Sequence, residues 1–192
     1  MRVLLMSLAF LLITGCSNDG STSAQFTASA TAPAPGLAKL EQKSHSGARL
    51  VVDVLLYGPE PNLDLFSFRF GIRIGDGDLV RLAPQMTYPQ NALVAGNGQT
   101  IAITVDAADP SLVQIEVTKQ GGGAGNGFGT ASAVVIELPF DVRAAGATTL
   151  TLVGLGNQPP RAADSANAPI PAVAFDAAAA GVRGITTGGG SY

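Results

Sequence analysis

The 192 residues contain no tryptophan, one cysteine and one histidine. A lone cysteine, Cys16, excludes an intramolecular disulfide. The lone histidine, His45, precedes the region with strand patterning, so a Ser-His-Asp or Cys-His arrangement cannot be assembled within that region. Zinc sites draw on the same two residue types, and the shortage argues against one here. Only 13% of residues are charged, the net charge is −3, and the basic residues form no stripe, which argues against nucleic acid as a partner. No apolar run reaches the roughly 20 residues that a membrane-spanning helix needs. Carboxylates are available, and glycosidases need only two, but none falls in a recognisable motif. We read no catalytic residue and no enzyme.

What is present begins at the N-terminus. Met1-Arg2 is followed by a mainly apolar run from Val3 to Ile13, broken only by Ser7. As helix it would span about 16 Å, half of a hydrocarbon core of about 30 Å. A basic start, a short apolar stretch and then small residues is the pattern of a removed secretory signal. Leu12-Ile13-Thr14-Gly15-Cys16 resembles the lipobox of bacterial lipoproteins. That resemblance implies cleavage before Cys16 and a diacylglycerol on its thiol, with the freed amine often acylated as well. Two or three acyl chains make a stable anchor, where one does not. Ser17, in place of aspartate, implies the Gram-negative outer membrane, on its periplasmic or cell-surface side.

Residues 1–15 are thus expected to be a signal peptide, and 16–46 a lipidated cysteine and flexible tether. The Ser/Thr/Ala/Pro-rich stretch after Cys16 has one aromatic, Phe26, and too little apolar surface to offset the entropy of ordering. Its expected role is reach, holding the domain off the lipid surface. Leu37–Lys43 could form a brief helical turn.

From Ala48 the hydrophobic period becomes two, the signature of half-buried strands. In Ala48–Tyr57 the residues Leu50, Val52, Val54 and Leu56 share a face. Leu65–Ile74 alternates most cleanly, with Phe66, Phe68, Phe70, Ile72 and Ile74 on one side and Ser67, Arg69 and Arg73 on the other. Ser132–Arg143 places Val134, Ile136, Leu138, Phe140 and Val142 against Glu137, Asp141 and Arg143. Shorter strands are expected at Leu79–Ala83, Thr100–Val105, Leu112–Thr118, Thr148–Val153, Ala172–Phe175 and Gly181–Ile185. Thr100–Val105 and Leu112–Thr118 form a hairpin about Asp109-Pro110. The glycine-rich Gly121–Gly127 lacks the Gly-Lys-Ser/Thr ending of a phosphate loop and reads as a flexible hairpin linker. Eight or nine short strands without a convincing helix predict an all-β fold: two antiparallel sheets packed face to face over residues 47–186, with a disordered tail at 187–192.

Three stretches carry a resemblance to a known family: VVDVLLYG…LFSFRFGIRIGDGDLVRL, GNGFGTASAVVIELPFDVRAAGATTLTLVG and ADSANAPIPAVAFDAAAAGVRGI. Together they resemble cohesin-like domains in the order and spacing of core positions. The resemblance implies a jelly-roll sandwich of about nine strands and a non-catalytic binding module. Classical cohesins bind a dockerin, a small calcium-loaded helical domain, on one flat sheet face. The partner implied here is a dockerin-like or envelope protein. The alternative is a carbohydrate-binding or structural cell-envelope lipoprotein that meets polysaccharide.

Candidate contacts follow from the outward positions. Ser67, Arg69, Arg73, Glu137, Asp141 and Arg143 would supply a mixed-charge face for a protein. Tyr57, Tyr88 and Phe128 are the aromatics left over for stacking on a sugar. No cofactor is expected. Asp76 and Asp78 in Gly75-Asp76-Gly77-Asp78 suit calcium by spacing, but the same residues make turns, and turn is the favoured reading.

Overall fold

The structure, a computed structural model, describes residues 21–58, 64–127 and 131–187. Twelve strands and no helix occur among them. They are β1 (Ser21–Thr27), β2 (Leu37–Ser46), β3 (Arg49–Leu56), β4 (Ser67–Ile74), β5 (Val80–Leu82), β6 (Thr100–Asp109), β7 (Leu112–Gln120), β8 (Ala133–Val142), β9 (Gly146–Val153), β10 (Arg161–Ala163), β11 (Ala174–Phe175) and β12 (Ala180–Thr187). A seven-stranded sheet runs β1-β12-β9-β4-β7-β6, with β10 beside β4. A five-stranded sheet runs β11-β2-β3-β8-β5. Pairing is antiparallel except between β11 and β2. The two-sheet β-sandwich expected from the patterning is the fold, with more strands than the nine foreseen.

The core lies where the alternation puts it. Phe68, Phe70, Ile72 and Ile74 of β4 face Leu50, Val52, Val54 and Leu56 of β3 and Leu138 and Phe140 of β8, all at 0–1% exposure. Phe70 and Phe175 meet across the sandwich with ring centroids 5.5 Å apart and planes tilted by 42°. Period two works here because successive side chains leave opposite faces of a strand.

Four expectations are corrected. The tether is the largest: residues 21–46 are not a flexible linker, because β1 and β2 lie within them. All seven residues of β1 pair with β12, and Ala24 N–H also reaches the carbonyl of Gly47 at 2.8 Å. An edge strand needs little apolar surface when its neighbour supplies the hydrogen bonds, so Ala24 and Phe26 suffice to seat it. The helical turn at Leu37–Lys43 is strand β2, with Ala38 and Leu40 buried and β3 as its partner.

Val134 is the third. Val54 pairs with Ile136 but Leu55 pairs with Val134, so a bulge inserts one residue. Parity flips there: Val135 is buried and Val134 is half-exposed. Finally, the glycine-rich segment joins β7 in one sheet to β8 in the other, so it is a crossing between sheets rather than a hairpin. Cys16, Phe128 and the tail beyond residue 187 lie outside the described residues.

Candidate functional site

The two outer faces of the sandwich differ in how their charges are used. On the five-stranded sheet, register aligns Glu41, Asp53 and Glu137 in one row and Arg49 with Asp141 in another. Nearly every charge is met. Lys39 lies 3.3 Å from Glu41, Lys43 bonds Glu137, and Arg49 reaches Asp141 at 2.8 Å. Tyr57 donates its hydroxyl to Glu41 at 2.8 Å. Burial, then that hydrogen bond, push the Tyr57 phenol up to about 12. Asp53 has one buried oxygen without a partner among the described residues. Burial holds its carboxyl above the usual range, Lys43 opposing and Glu137 adding to the shift.

The seven-stranded sheet presents a different surface. Gly71 sits at its centre on the outward side of β4, opposite Gln114 of β7 and Val153 of β9. A methyl group at Gly71 would meet the side chains of Leu112 and Leu155 at 3.0 Å and Val153 at 3.2 Å. Three half-exposed aliphatic side chains therefore converge over this glycine on the solvent side. Around them stand Arg69, Arg73, Gln114 and Glu116, all exposed. Arg73 touches Ser111 at 3.4 Å. The side chains of Arg69, Gln114 and Glu116 make no hydrogen bond or ion pair among the described residues.

The residues singled out from sequence divide between these faces. Ser67, Arg69 and Arg73 belong to the seven-stranded face. Glu137 and Asp141 belong to the other, and Arg143 stands exposed just past the end of β8. They do not form one mixed-charge surface, because their strands lie in different sheets. Tyr57 is tied to Glu41, and Tyr88 is half-buried against the core beside a groove of about 450 Å³ shared with Met86, Ile101 and Ile103. Neither tyrosine is an open platform. Burial raises the Tyr88 phenol.

The acidic turn is accounted for by its own backbone. Asp76 Oδ1 accepts the N–H groups of Asp78 at 2.9 Å and Leu79 at 3.1 Å. Asp78 pairs with Arg81 at 2.8 Å. No group of three or more histidine, cysteine or acidic residues able to hold a metal occurs among the described residues. His45 is exposed on β2, with its Nδ1 3.0 Å from Gln42.

No family model matches the chain, and no curated protein matches it. Among solved structures, it is similar to a chain of a CaDoc0917–CaCohA2 complex, at 13% identity over 85% of this chain and 98% of that one, TM-score 0.49. It is similar to the second type II cohesin module of the adaptor scaffoldin ScaA of Acetivibrio cellulolyticus, at 9% identity, covering 81% and 85%, TM-score 0.47. It is similar to a cohesin module from a Clostridium perfringens family 33 glycoside hydrolase, at 10% identity, covering 87% and 96%, TM-score 0.47. Likenesses this distant do not say what the chain binds.

Sequence patterning missed two features of the seven-stranded face. Leu112, Val153 and Leu155 come from β7, β9 and the loop after β9, and only the register brings them over Gly71. Alternation places Phe66 in the core with Phe68. It is instead half-exposed, because the chain is still entering the sheet at that point: Leu65 forms an isolated bridge to Asn126, and Phe66 N–H bonds Ala163 O at 2.9 Å.

Proposed function

We propose that this chain is a non-catalytic protein-interaction module that receives a folded partner on the outer face of its seven-stranded sheet, and that lipid on Cys16 holds it at the bacterial outer membrane. The aliphatic patch over Gly71, ringed by polar side chains of which Arg69, Gln114 and Glu116 have no side-chain partner among the described residues, carries the first half of this reading. Protein interfaces share that anatomy: an apolar centre that excludes water, and a polar rim. The opposite face is a poorer candidate, since most of its charges, Asp53 apart, are already paired with one another. The lipobox at Leu12–Cys16 supports the second half.

A photo-crosslinking residue placed at Gln114 in the living cell tests the face. The expected result is a defined protein adduct that is lost when Val153→Asp is added. The same probe at Val51, on the five-stranded face, should give none. Adducts from Val51 alone, or from neither position, would refute the assignment. For the anchor, Cys16→Ala should abolish incorporation of an alkyne fatty acid and release the protein from washed membranes. Membrane retention by that variant would refute lipidation.

A further inference from the structure

At one end of the same face, β10 and the loop that follows it enclose a cleft of about 210 Å³ against β4 and β7. Its floor holds an unusual row. Arg161 of β10 is directly opposite Arg69 of β4, and Arg69 is directly opposite Glu116 of β7. Like charges facing each other across a ladder are unfavourable, and no carboxylate among the described residues lies within ion-pair distance of either arginine. Arg161 is instead aimed by Asn167, whose side-chain oxygen accepts from Nη2 at 3.2 Å.

The cleft is held rigidly. Asn167 has a left-handed backbone, φ 61°, inside a loop whose Asp164 carboxylate accepts the N–H groups of Ala166 and Ala168 at 2.9 and 2.8 Å. Asp164 is thereby committed to its own turn. Asp64 takes the Ser165 hydroxyl and N–H on one side and the Gly125 N–H on the other, pinning this loop to the segment entering β8. Phe66 lines the cleft, its backbone fixed to Ala163 and Lys119.

We propose that this cleft binds a single carboxylate-bearing sugar ring, a uronate unit of an acidic glycan. Arg161, Arg69, Glu116 and Asp164 all line the cleft and their charges cancel, so a weakly charged ligand held by directed hydrogen bonds from the two unpaired guanidinium groups suits it better than a phosphate or sulfate dianion. Two guanidinium groups suit a carboxylate because each offers planar paired donors. Phe66 supplies the apolar wall on which a ring can lie, and Thr118, Ser67 and Asn167 supply hydroxyl-compatible partners. The volume fits one ring rather than a helix or a folded segment. Both β4 and β7 are flanked by neighbouring strands, so their backbones offer no free ladder to an extended peptide. The cleft borders the Gly71 patch through Arg69 and Glu116, and glycan binding there needs no protein partner on the patch.

The test is calorimetric titration of the full chain in detergent with four probes: oligogalacturonate, the same oligomer methyl-esterified, a neutral-capped tetraglutamate peptide and inorganic phosphate. Oligogalacturonate should bind saturably, and esterification should weaken it at least tenfold. Arg161→Gln should weaken it at least tenfold and Phe66→Ala several-fold, while Arg143→Gln, exposed past the end of β8 and outside the cleft, should leave it unchanged. Because Arg161 faces Arg69, Arg161→Gln should also leave the melting temperature of the unliganded protein unchanged or higher. Should Phe66→Ala fail to fold, the ester comparison and Arg161→Gln still decide. Absence of saturable oligogalacturonate binding, equal binding of the ester, or tighter binding of the peptide or phosphate would overturn the proposal.

Discussion

Replacing Asp176 by alanine should unfasten the N-terminal strand from the rest of the sandwich. Asp176 is 7% exposed, and its carboxylate collects the hydroxyls of Ser29 and Thr31, the latter at 2.9 Å, and the N–H of Ala178 at 3.0 Å. Ser29 and Thr31 lie between β1 and β2, and Ala178 between β11 and β12, so one side chain joins the two connections. Hydrogen bonds to a charged group contribute about 1.5–3 kcal/mol each, and donors left buried without an acceptor add a penalty. The three share one acceptor and do not sum, so we expect a loss of about 2–4 kcal/mol. In a domain of this size that lowers the melting temperature by roughly 5–12 °C. Burial alone would raise the Asp176 pKa, but Ser29, Ala178, Thr31 and the charge of Lys39 together hold it below the usual value. A depressed carboxylate contributes stability above its unfolded pKa, near 3.9, and loses it as pH falls through the folded value. Denaturant melts of the wild type and Asp176→Ala from pH 7 downward should therefore converge in acid. A loss under about 0.5 kcal/mol at pH 7, or a gap that widens below pH 4, would refute the reasoning.

Three further outcomes are expected. Tyr57→Phe should cost about 1 kcal/mol by removing the bond to Glu41. It should also remove the latest step of a spectrophotometric tyrosine titration; since that phenol ionises near 12 when folded and near 10 when unfolded, its contribution is present below pH 10 and gone above pH 12. Gly184→Ala should cost about 3 kcal/mol by chemical denaturation, because its methyl would fall 2.0 Å from the Ala144 carbonyl oxygen and backbone must move. Asp76→Ala should cost about 1 kcal/mol through its lost turn bonds, while a chelator leaves the wild-type melting curve in place; a chelator-induced drop would restore the calcium reading.

The strands legible from sequence were those whose inward residues are large. β4 and β8 announce themselves because phenylalanine and branched aliphatics alternate with charge over eight to ten residues. β1 was hidden for the opposite reason: its inward residues are Ala24 and Phe26, and its stability comes from a ladder with β12, more than 150 residues away in sequence. β10 has three residues and no periodicity to detect. The site was less legible than the fold. Alternation tells which side of its own strand Arg69 or Glu137 occupies, but not which sheet the strand joins, and that decides which side chains meet. Arg161 and Arg69 are 92 positions apart, and no local signal marks their meeting.

The position of β1 also bears on how the molecule sits in the cell. Ser21 is already part of the seven-stranded sheet, five residues after Cys16. With Cys16 lipidated as proposed, those five residues extend at most about 18 Å, against a body roughly 40 Å across. Such a short leash does not let the domain roam above the bilayer. It sets a bearing: the β1–β12 edge rides low, and a partner must approach from the side or from above, within a layer one molecule deep. Binding would then be a search in two dimensions between neighbours on one surface, governed by their density there rather than by their concentration in solution.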